Sequence, residues 1–346
     1  MATITVLGAG MMGSALCVPL VDAGHEVRLV GTHLDAEIIS ELMKSSTHPK
    51  LKLELPRAIR AYRVEELAEA LRGADVIGLG VSSAGVAWAA ERLREHPIGE
   101  RPILMITKGL ELGGGELRIL PDVLAEKLGG GVAPVAVAGP CIAGELARRV
   151  ESCVLFTGRD AETARALASL ARTEYYHVFT SEDAVGVEVC AALKNAYAMG
   201  IGFAAGLHER AGGSPGSVAM HNHEAGVFAQ SVLEMQRVVA LAGGNPASAS
   251  SLAGVGDLDV TCSGGRTGRF GRWLGLGVGS SEAIARMEGA TLECLEILQV
   301  MRAALSAYEA RGKLGARELP LLRHLMNVAL DDEPVRVPFG AFFGGE

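Results

Sequence analysis

Residues 3–23 read TITVLGAGMMGSALCVPLVDA, and this stretch decides the first half of the fold. Its opening, TITVL, is a short β-branched run of the kind that forms a buried parallel strand. Gly8-Ala9-Gly10-Met11-Met12-Gly13 follows at once, and residues 14–23 then read as a helix. A GxGxxG run means little by itself. Between a strand and a helix near the start of a chain, it marks a dinucleotide-binding βαβ unit. Glycine lets the backbone turn tightly and approach a pyrophosphate, whose charge rests on the free N–H groups of the helix start. Gly8, Gly10 and Gly13 are therefore assigned to cofactor binding.

Working outward, a second strand at residues 26–30 closes on Gly31-Thr32-His33. An NAD-specific site usually ends this strand in Asp or Glu, which accepts the ribose hydroxyls. Thr32 and His33 stand there instead, with Asp35 two residues on, and no carboxylate is placed to repel a 2′-phosphate. That favours NADP(H), with NAD(H) possible. Further buried strands are predicted at 74–81, 102–107, 132–138, 153–157 and 176–180, with helices at 67–71 and 160–171. Their carboxyl ends carry Ser82-Ser83, Lys108-Gly109 and Gly139-Pro140-Cys141, on the edge where open α/β sheets bind ligands. From Asp183 onward the β-rich runs stop and helical spacing takes over. The predicted fold is an α/β Rossmann-type dinucleotide-binding domain over 1–182, followed by an all-α substrate-binding and catalytic domain over 183–346.

Residues 189–207, VCAALKNAYAMGIGFAAGL, hold a single charge, Lys194, followed by Asn195. A helix apolar on nearly all faces is a core helix or a membrane span. The lysine well inside the run, three glycines and the lack of a second such segment favour the core. Burial disfavours a lysine's charged form and lowers its pKa, which suits general acid/base work near neutral pH. A lysine that snorkels to the surface is the alternative. Residues 254–277, GVGDLDVTCSGGRTGRFGRWLGLG, place Asp257 in a turn-like Gly-Asp-Leu and Arg266 and Arg269 on a flexible glycine loop. Such a loop suits bidentate clasping of a phosphate, with Arg272 a third candidate. A loop at 212–216, a long helix at 218–241, and a last group of helices ending near Asp331 complete the reading. The final fifteen residues read as a loosely attached tail.

A net charge of −8 leaves no general basic field for nucleic acid or an anionic membrane. The six cysteines are scattered without a CxxC pair, as in a cytoplasmic protein with reduced core thiols. His221 and His223 are two apart on a predicted helix and point to different faces, so no metal site is assigned. The uncharged N-terminal stretch lacks a basic n-region and is broken by glycines, unlike a signal peptide.

Seven blocks in order carry a family resemblance: GAGMMGSA at 8–15, TKGLE at 107–111, AGPCIAGELA at 138–147, LKNAYAMGIG at 193–202, GVGDLDVTC at 254–262, GRTGRFG at 265–271 and MEG at 287–289. Over about residues 3 to 330 the chain resembles the NAD(P)-dependent glycerol-3-phosphate dehydrogenases of the soluble bacterial and archaeal type. The resemblance implies reversible reduction of dihydroxyacetone phosphate to sn-glycerol 3-phosphate, a product used in glycerophospholipid synthesis. It also implies a cytoplasmic homodimer. Lys194 becomes the proton donor and acceptor at the substrate C2 oxygen, with Lys108 and Asp257 as its catalytic partners. Substrate positions are Lys108, Gly139, Cys141, Lys194, Asp257, Gly265, Arg266 and Thr267. Met11, Met12, Thr32, His33, Lys108, Ala143, Arg266 and Glu288 match cofactor positions. The family's usual Ser-Arg-Asn is Gly265-Arg266-Thr267 here, its Ser or Thr after Gly-Pro is Cys141, and Arg286 replaces a common aliphatic residue. Two rivals stand beside this reading. A related dehydrogenase of another small phosphorylated or 2-keto substrate would keep Lys194-Asn195, and a non-catalytic dinucleotide sensor would need neither lysine.

Overall fold

A computed structural model describes residues 1–215, 220–263 and 265–345. The end of the predicted 212–216 loop and the predicted helix start at Val218 fall outside these residues. Strands run β1 Thr3–Leu7, β2 Glu26–Val30, β3 Thr47–His48, β4 Leu53–Glu54, β5 Arg60–Tyr62, β6 Val76–Leu79, β7 Ile103–Met105, β8 Leu110–Gly113, β9 Glu116–Ile119, β10 Val135–Ala138, β11 Ser152–Thr157 and β12 Tyr176–Ser181. The chain divides into two compact units, Met1–Lys108 with Ile119–Ala184, and Gly109–Arg118 with Val185–Glu346.

In the first unit eight strands form one sheet in the order β12-β11-β10-β7-β6-β1-β2-β5, parallel except at β10–β11. Helices α1 Met11–Asp22, α2 Ala36–Ser45, α3 Leu67–Ala70, α4 Val86–Arg94, α5 Leu120–Lys127, α6 Ala143–Leu146 and α7 Ala161–Ala171 alternate with the strands. Strand side chains alternate between faces, and here each face has its own core. Ile4, Val6, Val27 and Leu29 join one cluster, while Leu7, Val30, Ile77 and Leu79 join the other. Burial on both faces explains why TITVL and its neighbours read as continuous apolar runs. Strand order reverses between β1 and β6, which opens a crevice at their carboxyl ends.

Among its described residues the second unit is helical apart from the β8–β9 hairpin. Its helices are α8 Ala184–Arg210, α9 His221–Leu241, α10 Asp257–Cys262, α11 Arg266–Gly275, α12 Ser280–Ala285, α13 Glu293–Ala310 and α14 Pro320–Asp331. The hairpin has no local signal because its partners come from α13 and beyond. Leu117 N–H donates to the Tyr308 hydroxyl at 3.2 Å, Arg311 reaches Glu116 at 2.6 Å, and Lys313 reaches Glu116 at 2.7 Å. Helix α8 is buried along its middle, from Val189 to Gly200. Among the described residues no helix is long and apolar enough to cross a membrane.

The expected flexible glycine loop is instead the helix α11, and Arg266 and Arg269 lie on its first turns. Its glycines pack against α8 at backbone distance. A Cβ on Gly271 would lie 2.0 Å from Met199 O, one on Gly275 2.4 Å from Phe203 O, and one on Gly206 2.0 Å from Arg272 O. Glycine normally weakens a helix, but here only glycine admits the neighbouring helix. Arg272, the third phosphate candidate, is paired with Glu209 of α8 through Nε at 2.6 Å and Nη2 at 2.5 Å. The C-terminal stretch is also packed rather than loose. Val335 and Phe342 are buried, Arg336 N–H donates to His324 Nε2, and Phe343 N–H donates to Gln230 Oε1.

A buried carboxylate closes this unit's core. Glu234 of α9 accepts Leu321 N–H and Leu322 N–H at 2.8 Å each, and so caps the start of α14. Gln230 and the Tyr197 hydroxyl also donate to it. Burial pushes its pKa up, against the pull of these donors.

Candidate active site

In the first unit the predicted residues collect along the carboxyl edge of the sheet. Gly8 ends β1 at φ +112°, a conformation that favours glycine. A Cβ there would lie 2.6 Å from Gly80 C, just past β6, and one on Gly13 would lie 2.1 Å from Gly8 O. Gly8, Gly13 and Gly80 thus lock β1, β6 and α1 together at the crevice; Gly80 was not singled out in the sequence. Gly10 differs, since a Cβ there would meet only Gly80 O at 4.0 Å. Its backbone is bare for a ligand's approach, not for packing within the chain. Gly10 is the N-cap of α1, with no side-chain cap and no acid in the first turn. Among the described residues the N–H groups of Gly10, Met11, Met12 and Gly13 have no acceptor. Four convergent donors at the positive end of a helix form a cradle that fits a pyrophosphate.

Beyond β2, Thr32 and His33 follow at the same edge. Asp35 is buried and turned onto the protein, where its Oδ2 accepts Thr32 N–H at 2.9 Å, Thr32 Oγ–H at 2.7 Å and Ala9 N–H at 3.2 Å. His33 is exposed and meets Trp88 of α4 edge-on, with ring centroids 5.3 Å apart. Lys108 follows β7 and is half-buried. Gly139 follows β10 at φ +109°, where an added Cβ would lie 3.2 Å from both Cys153 O and Val154 Cα. Cys141 is half-buried two residues on, and Ala143 opens the short α6.

In the second unit Lys194 of α8 and Asp257 of α10 form a buried ion pair, Nζ to Oδ1, with Asp257 only 1% exposed and Lys194 9%. Asp257 is the first residue of α10, not part of an open turn. A π-helical turn, Leu252–Gly256, leads into it, and a Cβ on Gly254 would lie 2.0 Å from Ala249 O. A charge this buried persists only when paired. Cys262, one turn on from Asp257, has its thiol pushed up to about 12, chiefly by burial, and stays protonated. Asn195 was not assigned a role from sequence; its Nδ2 donates to Glu293 Oε2 at 2.8 Å, at the start of α13. No sequence spacing points to that partner 98 residues away. Gly265 is the N-cap of α11, with Arg266 exposed beside it and Thr267 buried. No side chain caps this helix and no acid stands in its first turn, so its N–H groups and Arg266 present positive charge together. Glu288, between α12 and α13, is exposed at φ +51°.

Residues 3–164 match the N-terminal domain model of NAD-dependent glycerol-3-phosphate dehydrogenase, and residues 183–338 match its C-terminal domain model. The chain is 33% identical to the NADP(+)-dependent glycerol-3-phosphate dehydrogenase of Archaeoglobus fulgidus, over 90% of this chain and 91% of that one. It is 31% identical to the glycerol-3-phosphate dehydrogenase [NAD(P)+] of Geobacillus kaustophilus, over 95% and 90%. Among solved structures, glycerol-3-phosphate dehydrogenase from Coxiella burnetii superposes with a TM-score of 0.79 at 27% identity, covering 98% of this chain and 97% of that one. With both domain models matched in order and relatives aligned almost end to end, the chain belongs to the NAD-dependent glycerol-3-phosphate dehydrogenase family.

Proposed function

We propose that this protein reversibly reduces dihydroxyacetone phosphate to sn-glycerol 3-phosphate, with NADP(H) favoured as the hydride carrier and NAD(H) possible. Family membership and the names of its relatives support the reaction. The single observation that carries the catalytic assignment is the buried Lys194–Asp257 pair. A nicotinamide dinucleotide held there would supply the hydride in reduction and receive it in oxidation.

The chain's own residues do the rest. As hydride reaches the ketone carbon, negative charge builds on the C2 oxygen and must be met by a positioned donor. The Lys194 ammonium meets that charge and transfers its proton to the oxygen. In oxidation the neutral amine takes the proton back. Asp257 orients the ammonium and balances its charge. Lys108, Gly139 and Cys141 contribute further contacts to substrate. Gly265, Arg266 and Thr267 hold the phosphate, with Arg266 forming charge-assisted hydrogen bonds. The open N–H groups at the start of α11 take over from the side chains that Gly265 and Thr267 replace. Remote phosphate binding then fixes the geometry of the ketone.

For the dinucleotide, Gly8, Gly10, Met11, Met12 and Gly13 form the pyrophosphate cradle. Thr32 and His33 stand at the adenosine ribose, and Lys108, Ala143, Arg266 and Glu288 complete the contacts. We assign the protein to the cytoplasm as a homodimer, on the family likeness and the buried thiols of Cys17, Cys190 and Cys294.

The test is oxidation of NADPH and of NADH with dihydroxyacetone phosphate as the only ketone. Turnover, with NADPH the better donor, is expected. Turnover only with an unphosphorylated ketone would point to a related dehydrogenase. Tight NADPH binding without turnover on any ketone would point to a sensor.

A further inference from the structure

His48 lies on the small β3–β4 turn between α2 and β5, and its side chain is fully buried. The backbone N–H of Leu51 donates to its Nδ1 at 3.1 Å. A backbone N–H can only donate, so Nδ1 is bare and the ring proton sits on Nε2. That Nε2–H donates to the carbonyl oxygen of Ala9 at 3.1 Å, which can only accept. The same carbonyl takes a second bond from Ser14 Oγ–H at 3.1 Å. On its other side, Ala9 N–H donates to Asp35 Oδ2 at 3.2 Å. Both amide groups of the residue between Gly8 and Gly10 are therefore tied down.

The consequence follows from peptide geometry. The Ala9–Gly10 bond is trans and planar, so its C=O and N–H point in opposite directions. With the carbonyl drawn inward to His48 and Ser14, the N–H of Gly10 is turned outward. It joins the N–H groups of Met11, Met12 and Gly13, none of which has an acceptor among the described residues.

We propose that His48 is a positioning residue of the dinucleotide loop: its Nε2–H holds the Ala9 carbonyl inward and so aims the Gly10 N–H at the pyrophosphate. The inference rests on the reading that this loop binds a dinucleotide. Burial, aided by nearby Lys50, holds the imidazole below its usual pKa against the opposing pull of its bond to the Ala9 carbonyl and of Asp35. A proton on Nδ1 would also face the Leu51 N–H, so the neutral tautomer persists.

Two substitutions separate positioning from mere packing. His48→Asn keeps an acceptor where Nδ1 stands and retains the Leu51 bond, but cannot reach Ala9. His48→Gln carries an amide N–H out to where Nε2 stands and restores the bond to Ala9. In fluorescence titrations with NADPH, His48→Gln is expected within about twofold of the unaltered protein. His48→Asn is expected to weaken binding about five- to tenfold, the loss of one net hydrogen bond. In turnover assays the loss falls on KM for the dinucleotide rather than on kcat, and the unfolding midpoint without cofactor falls alike in both variants, each of which gives up one of the two bonds of the buried ring. Binding by His48→Asn equal to the unaltered protein would overturn the proposal. So would equal weakening in both variants. If the unaltered protein bound neither NADPH nor NADH, the reading of the loop itself would fail, and this proposal with it.

Discussion

Replacing Gly271 by alanine tests whether α8 and α11 are held at backbone distance. The added Cβ would lie 2.0 Å from Met199 O, 2.9 Å from its C and 3.2 Å from its Cα, whereas real Cβ atoms keep at least 3.0 Å. No side chain can rotate to relieve a contact with backbone, so the helices must part by about 1 Å in a close-packed interior. Overpacking costs about 1–3 kcal/mol, and an unyielding backbone puts Gly271→Ala at the upper end. Alanine returns about 1 kcal/mol of helix propensity, leaving a net loss of about 2 kcal/mol. Gly268 gives the control on the same helix. Among the described residues its added Cβ would meet nothing nearer than Cys262 O at 3.6 Å, so Gly268→Ala is expected to be neutral or to stabilise by up to about 1 kcal/mol. Urea unfolding followed by circular dichroism measures both. Equal shifts in the two variants, or a Gly271→Ala protein as stable as the unaltered one, would refute the packing argument.

Other consequences are as direct. Glu234→Gln offers a single oxygen to the Leu321 and Leu322 N–H groups and turns an NH2 towards one of them. It should destabilise by about 1–3 kcal/mol at neutral pH, read by thermal unfolding. Burial also holds His324 below the ordinary 6.5, so the folded state binds its proton less well than the unfolded chain. Its stabilising contribution is complete above pH 6.5 and is lost as pH falls through the lower folded value. The fall in unfolding midpoint between pH 7 and pH 5.5 should therefore be shallower in His324→Gln; an identical pH slope would contradict this. Arg266→Ala should raise KM for dihydroxyacetone phosphate by about tenfold or more, the worth of a charged hydrogen bond, without creating a preference for unphosphorylated ketones.

What the sequence disclosed was what local chemistry decides. The run from Thr3 to Gly13 was legible because a β-branched strand, a glycine turn and a helix start each have their own signature. The change to helical spacing after Asp183 was legible for the same reason. Lys194 stood out as one charge in an apolar helix, and it is found buried on a carboxylate. The rest depended on distant partners. The β8–β9 hairpin is pinned by Tyr308, Arg311 and Lys313, nearly two hundred residues away. Glycines at 268, 271 and 275 argued for a loop because isolated helices disfavour them, while tertiary packing against Gly202 and Gly206 overrides that propensity. His48 sits among polar residues, with nothing nearby to signal that its ring is fully buried.

The central claim, that Lys194 passes the proton, is tested most directly by kcat of Lys194→Ala with saturating NADPH and dihydroxyacetone phosphate. The account predicts a fall of about a hundredfold or more, the usual scale for losing a general acid, in a protein that still binds NADPH. Near-normal turnover in that variant would contradict it.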